Sequence, residues 1–303
     1  MFIPFWRRII LSRTMQSMKL CRFKVGPGSD IRIGLITDAL NVLDLTSAGV
    51  QRMGPLLERS DLHDELRGLS TAGLAQHSMD SVRLLTPVEG QEVWAAGVTY
   101  LRSKEARIVE SEFSANAYDR VYDAVRPEIF FKSLPEKVVS PGESVGIRKD
   151  ARWNVPEPEL AMVINSLGSL VGFTIGNDMS SRDIEGENLL YLPQAKIYTG
   201  SCAVGPWIVV GADEEEARRW SIHLEIQRGG KNVFRGETAV DQIKRKFNEL
   251  IEYLFRSQEF PNGAVLFTGA GIVPDDSFTL EAGDSVRITV SGIGTLENSV
   301  SVV

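Results

Sequence analysis

Residues Trp153 to Trp207 constrain the fold more than any other part of this 303-residue chain. The stretch opens WNVPEPELAMVIN, turns through SLGS, and continues LVGFTIGNDMSSRDIEGENLLYLPQAKIYTGSCAVGP. Glu157 and Glu159 flank Pro158, so on a strand both carboxylates point to one face. Pro156 and Pro158 cannot donate to a ladder, which suits an edge strand or a strand that begins at a cavity rim. Leu160 to Ile164 is apolar on both faces and reads as the buried continuation of the same strand. Asn165 to Ser169 is a turn cluster, and Leu170 to Ile175 is a second apolar, partly β-branched run. An antiparallel hairpin centred near Leu167 and Gly168 sets position 157 opposite position 178, and opposed residues share a face. Position 178 is Asp. The hairpin therefore gathers Glu157, Glu159 and Asp178, whose charges repel unless a cation lies between them. Oxygen-only ligation favours a hard ion, Mg²⁺ first, with Mn²⁺ or Ca²⁺ as alternatives. The same pattern also fits a solvated acidic edge that holds no metal.

The rest of the chain sets bounds around this stretch. A net charge of −7 and pI near 5.2 lack the basic face of a nucleic-acid binder, so no such partner is expected. Only Cys21 and Cys202 are present, too few and too distant for a disulfide framework, which fits a reducing, cytoplasmic setting. Residues 1–17 carry Arg7, Arg8 and Arg13 without an acid, and their longest apolar run, Ile9 to Leu11, is too short to span a membrane. A transit peptide, an interfacial segment or an extension upstream of Met18 all fit, and the stretch is expected to pack poorly.

Residues 18–85 read as a small α+β domain. Its strands are expected at Leu20–Val25, Ile31–Ile36 and Asn41–Leu45, with helical spacing from Ser47 to Leu69 and a linker over Thr71–Val82. His63 and His77 within it read as surface or capping residues. Residues 86–303 read as mostly antiparallel sheet. Short apolar strands fall at Trp94–Val98 and at Arg126–Lys132, the latter ending in a lysine that could hold a substrate carboxylate or merely sit at the rim. Tyr100 to Tyr122 has the composition of a helix or of a lid. Ala239–Phe255 carries one apolar stripe at helical spacing and predicts one long helix. Further strands are expected near 264–268, 277–280, 285–290 and 294–303. The fold class is thus α+β, mostly β.

Five motifs in order resemble the fumarylacetoacetate hydrolase superfamily: PEPELAMVI, GNDMSSRD, QAKIYTGSCAVGP, AVLFTGAGIVP and AGDSVRITVSGIGTLENSV. The likeness spans about residues 90 to 303 and implies a catalytic fold of rolled, largely antiparallel mixed β-sheets. GVTYLRSKEAR, VRPEIFFKS, WNVPEPEL and SSRDIEGENLLYLPQAKIY are similar to the 2-keto-3-deoxy-arabinonate dehydratase branch. The resemblance implies metal ligation by Glu157, Glu159 and Asp178. It implies substrate contacts from Lys196 and Arg182 and from Thr268 or Gly269, and a homodimer or dimer of dimers.

Two departures matter. Hydrolytic relatives carry a His-Glu pair on the lid, in the pattern G-x-N-Y-x-x-H-x-x-E. Here Ser103 and Ala106 fall at those places, so the pair that activates water for C–C cleavage is absent and Ser103 becomes a candidate substrate contact. Ala270 also replaces the second Thr of the family's Thr-Gly-Thr turn.

The expected activity is removal of water from a small 2-oxo-3-deoxy sugar acid, giving 2,5-dioxopentanoate. A 2-oxo acid chelates Mg²⁺ through a carboxylate oxygen and its ketone, the C3 proton becomes acidic, and the resulting enolate expels the C4 hydroxyl. Lys196 is the candidate base or enolate stabiliser, or else an ion-pair partner of Asp178 or Asp183. Arg182 is a carboxylate clamp or a partner of Asp183 or Glu185. Hydrolysis, tautomerisation or decarboxylation of another 2-oxo acid is the second reading, and a non-catalytic binding protein the third.

Overall fold

The computed structural model describes residues 17–100 and 121–303. The Trp153–Trp207 stretch builds the centre of an eleven-stranded sheet. Pro158–Ile164 lies between Leu170–Asp178 and Ala264–Phe267, antiparallel to both. Leu170–Asp178 in turn pairs with Cys202–Val210. Beyond Ala264–Phe267 the sheet continues through Glu92–Gly97, its one parallel neighbour, to Glu128–Ser133.

The faces follow the period-two alternation. Leu160, Met162 and Ile164, with Phe173 and Ile175, join a core that also holds Ile222, Leu224, Ile226 and Ile288. Those last residues belong to a second, five-stranded sheet, ordered Lys231–Ala239, Ser221–Arg228, Ser285–Val290, Gly294–Val302 and Ser144–Ile147. On the opposite face Ala161, Val163, Cys202 and Phe267 pack with Leu56, Leu57, Leu62 and Leu66 of two short helices, Gly54–Leu57 and Leu62–Ser70. Burial on both faces explains why the strand is apolar without alternation. Glu157 and Glu159 continue the Ala161 face at the strand's N-terminal end, where apolar packing gives way to a cavity.

The segment 18–85, expected as a separate small domain, does not form a sheet of its own. Met18–Lys24 bonds directly to Cys202–Val210, through Met18 to Val210, Lys19 to Val209 and Leu20 to Ile208. Arg32–Ile36, Asn41–Asp44 and Gln76–Ser78 then extend that sheet outward. Leu20, Ile33 and Leu43 are buried in the same core as Val163 and Val204, so hydrophobic burial joins what composition separates. The linker expected over Thr71–Val82 contains the Gln76–Ser78 strand, which pairs with Asn41–Asp44 through His77 opposite Val42. Likewise Ser277–Leu280, expected as a strand, is irregular. Its Leu280 N–H donates to Asn154 O and its Thr279 Oγ1 accepts from Asn154 N–H, both at 2.9 Å.

The long helix expected over Ala239–Phe255 is half that length. A 3₁₀ turn at Val240–Gln242 is followed by extended chain, and the α-helix covers Phe247–Phe255. Competing partners hold Ile243 to Lys246 open. The Arg218 guanidinium donates to Ile243 O and Arg245 O at 2.9 and 2.8 Å, and Lys244 N–H donates to Thr99 O at 3.0 Å. Glu214 then accepts from Phe247 N–H at 3.1 Å and starts the helix there. Ile243 and Phe247 are both buried, so the apolar stripe is real while its backbone is not helical throughout.

Candidate active site

The hairpin brings the three acids together as its register requires. Pro158 opposes Asn177 and Glu159 opposes Gly176, and Asp178 N–H donates to Glu157 O at 3.0 Å. The turn itself is centred one half-step earlier, with Asn165 N–H bonded to Ser169 O and Ile164 opposite Leu170. A register shift between Val163 and Ile164 takes up the extra residue, Val171, and restores the 157–178 pairing. One carboxylate oxygen from each of Glu157, Glu159 and Asp178 lies within 4.8 Å of the others, and all three residues are buried. The three acids are therefore buried and do not form a solvated edge. Gly176 opposite Glu159 leaves room for the Phe267 ring, which would lie 2.5 Å from an added Cβ.

Three cations surround two of the acids. Lys196 Nζ donates to Glu157 Oε2 and Asp178 Oδ2, each at 2.9 Å, and to Ser180 Oγ at 2.6 Å. Arg182 Nη2 meets Glu157 Oε1 at 2.6 Å, with Glu185 farther from its Nε at 3.9 Å. Lys132 Nζ bonds Asp178 Oδ1 at 2.5 Å, Met179 O at 2.9 Å and Lys196 O at 2.5 Å. Lys132, Lys196 and Arg182 are all buried. The three donors of the Lys132 ammonium are thus used on Asp178, Met179 and Lys196, and Lys132 is not among the described residues that border the cavity. Lys196 pairs with Asp178, one of its expected partners, and with Glu157, whereas Arg182 meets Glu157 more closely than Glu185 and borders the cavity.

Glu159 is held differently. The Gly269 N–H donates to its Oε2. Burial, with Asp178 and Glu157 beside it, pushes the Glu159 carboxyl well above the usual carboxylate range, against the opposing pull of Lys196 and the Gly269 N–H. A divalent cation relieves that repulsion, and three buried carboxylates without histidine or thiol ligands suit a hard ion. The residues present therefore fit Mg²⁺.

A small cavity opens onto the carboxylates, bordered by Ala96, Val98, Phe130, Arg182, Gly269 and Ala270. Of the Thr268–Gly269 pair, expected to contact substrate, Gly269 borders the cavity and the Thr268 hydroxyl donates to Leu160 O at 2.9 Å. Ala270 borders the cavity, so the missing second Thr leaves apolar surface there. Ser103 and most of the lid expected over Tyr100–Tyr122 lie outside the described residues. Sequence reasoning missed Ser180, Phe130 and Thr99. Ser180 follows Asp178 by two and was open to the same alternation argument, whereas nothing in the sequence places Thr99 beside Thr268.

With this geometry in hand, the matches to known proteins are specific. The model of the fumarylacetoacetate (FAA) hydrolase C-terminal family matches residues 92–301. The chain belongs to the fumarylacetoacetate hydrolase family. A probable 2-keto-3-deoxyxylonate dehydratase of Haloferax volcanii is 40% identical over 298 residues, covering 98% of this chain and 96% of its relative. The 2-dehydro-3-deoxy-D-arabinonate dehydratase of Saccharolobus solfataricus is 41% identical over 239 residues, 78% of this chain and 80% of that protein. A solved 2-keto-3-deoxy-D-arabinonate dehydratase, complexed with magnesium and 2,5-dioxopentanoate, has a TM-score of 0.78 at 34% identity, covering 94% of this chain and 99% of that one. All three of these relatives are named as dehydratases of 3-deoxy sugar acids.

Proposed function

We propose that this protein is a Mg²⁺-dependent dehydratase of a 2-oxo-3-deoxy sugar acid such as 2-dehydro-3-deoxy-D-arabinonate, giving 2,5-dioxopentanoate. The observation that carries the reading is the buried Glu157–Glu159–Asp178 cluster with the Lys196 amine bridging two of its members. Sequence relatives named as such dehydratases, alike over nearly the whole chain, support it.

Glu157, Glu159 and Asp178 would hold the ion, which when bound supplies Lewis-acid polarisation of a ketone oxygen and so acidifies the adjacent C–H. Charge balance supports an acid substrate. In their ordinary ionised forms Glu157, Glu159, Asp178 and Glu185 exceed Lys132, Arg182 and Lys196 by one charge. A divalent ion reverses that to one positive charge, which one substrate carboxylate neutralises. Arg182, at the cavity wall, faces that carboxylate. As the ammonium counted here, Lys196 stabilises the enolate formed when the C3 proton leaves, and it would act as the base only after giving up its own proton; the C4 hydroxyl leaves as water. The unsaturated 2-oxo acid that results tautomerises, a C5 proton moving to C3 and the C5 hydroxyl proton to C4, which leaves the C5 aldehyde of 2,5-dioxopentanoate beside its C2 ketone. Phe130, Ala96 and Ala270 exclude bulk water from the reacting atoms, and the Gly269 N–H keeps Glu159 in place.

The finer assignments are part of the same proposal: catalytic roles for Lys196 and Arg182, substrate contact at the Thr268–Gly269 turn and at Ser103, a homodimer or dimer of dimers, and a cytoplasmic setting. No helix among the described residues is long and apolar enough to cross a membrane. Purified protein screened against 2-oxo-3-deoxy acids, with and without EDTA, tests the reading. Product is expected only with Mg²⁺ and is lost in Glu157→Gln. Turnover indifferent to EDTA, or an intact Glu157→Gln enzyme, contradicts it.

A further inference from the structure

Glu157 and Asp178 are each paired with lysine or arginine, whereas among the described residues no cation forms an ion pair with Glu159. Its position depends instead on the backbone of the Thr268–Gly269 turn, whose Gly269 N–H it accepts. That turn is tied down from two sides. Thr268 N–H and Oγ1 both donate to Leu160 O, at 3.0 and 2.9 Å, which anchors the turn to the residue after Glu159. From the other side Thr99 Oγ1 donates to Thr268 O at 2.6 Å, in a fully buried bond. Gly269 has φ +98°, and a Cβ there would lie 2.0 Å from Thr99 Oγ1, so hydroxyl and turn are in direct contact.

Thr99 is itself fixed. Its carbonyl accepts Lys244 N–H at 3.0 Å, and Tyr100 bridges to Ile243. Val98, a β-branched residue at φ +53°, reverses the chain at the end of Glu92–Gly97. A left-handed valine beside a reaction site is a conformation that persists only where its surroundings impose it. Here the reversal turns the Thr99 hydroxyl, and not apolar surface, toward the carbonyl of Thr268.

We infer that Thr99 is a positioning residue for the metal centre: its hydroxyl holds the Thr268–Gly269 turn, and through it the Gly269 N–H, on Glu159. Thr99 touches neither ion nor substrate in this role. The inference rests on the three-carboxylate metal site and not on the identity of the substrate.

The test is calorimetric titration of Mn²⁺ into the metal-free full chain, for the wild type, Thr99→Val and Thr99→Ser, with melting temperatures recorded alongside. Losing one buried hydrogen bond that orients a ligand is expected to weaken Mn²⁺ binding about tenfold in Thr99→Val, with Thr99→Ser staying within about twofold of wild type. Thr99→Val that folds and binds Mn²⁺ like wild type overturns the inference. Should Thr99→Val fail to fold, Thr99→Ala against Thr99→Ser reads the same hydroxyl, and equal Mn²⁺ affinity in that pair overturns it. A wild type that takes up no Mn²⁺ instead removes the metal reading itself, so the two failures are distinct.

Discussion

The two sides of the metal centre are built on different principles. On the hairpin side, Glu157 and Asp178 sit among Lys196, Lys132 and Arg182, and their ion pairs are at or under 2.9 Å. On the Thr268–Gly269 side, Glu159 meets a backbone N–H, and the next layer is hydroxyl-to-carbonyl bonding. Charged neighbours set the electrostatic balance. Neutral neighbours fix a position without adding charge that would compete for the carboxylate. A centre that must take up both a dication and an anion needs each kind of support.

The largest effect that separates the two sides is expected at Lys196. Lys196→Met should lower kcat by about 10²–10⁴-fold, while Mn²⁺ binding measured by calorimetry survives, because Lys196 is not a ligand. Next comes Lys132, whose removal leaves Asp178 short of a buried partner. Lys132→Met should cost about 3–5 kcal/mol in urea unfolding of the metal-free protein. Saturating Mg²⁺ should recover part of that loss, since ligand binding to the native state stabilises it. If Mg²⁺ recovers none, Lys132 does not act through the carboxylate cluster.

On the neutral side Gly269→Ala should cost about 1–2 kcal/mol through its positive φ alone, and more if the Thr99 contact does not relax. Denaturant midpoints check this.

The smallest effect concerns the thiols on the sheet. Burial pushes the Cys202 thiol up to about 12 and raises Cys21 further. Both should therefore stay protonated and unreactive to an aromatic disulfide reagent in the native protein near pH 8. Two should react once it is unfolded. The folded pKa lies above the unfolded one, so the unfolded state binds fewer protons as pH climbs past about 8.5. Stability is then expected to fall with rising pH from there upward.

How much of this could be seen in the sequence depended on how local the cause was. The meeting of the three acids was legible because Glu157, Glu159 and Asp178 lie on one hairpin with a countable turn. Even there, the counted centre at Leu167–Gly168 gave the right partner only because a bulge near Ile164 compensates a tighter turn. The helix start was not legible. Ile243, Phe247 and Leu250 keep helical spacing, yet Arg218 and Thr99, distant in sequence, take the backbone groups of Ile243 to Arg245. Lys132 shows the same limit. A lysine ending an apolar strand is visible in sequence, but which of Asp178, Met179 and Lys196 it serves is decided by strands that meet only in the fold. The single sheet shared by residues 18–85 and the remainder was hidden for that reason too.

The account turns on three acids sharing one hard ion, and anomalous scattering from crystals grown with Mn²⁺ tests that most directly. One peak per chain is predicted, bonded to an oxygen from each of Glu157, Glu159 and Asp178. A peak that misses any of the three, or no peak in this cavity, would contradict it.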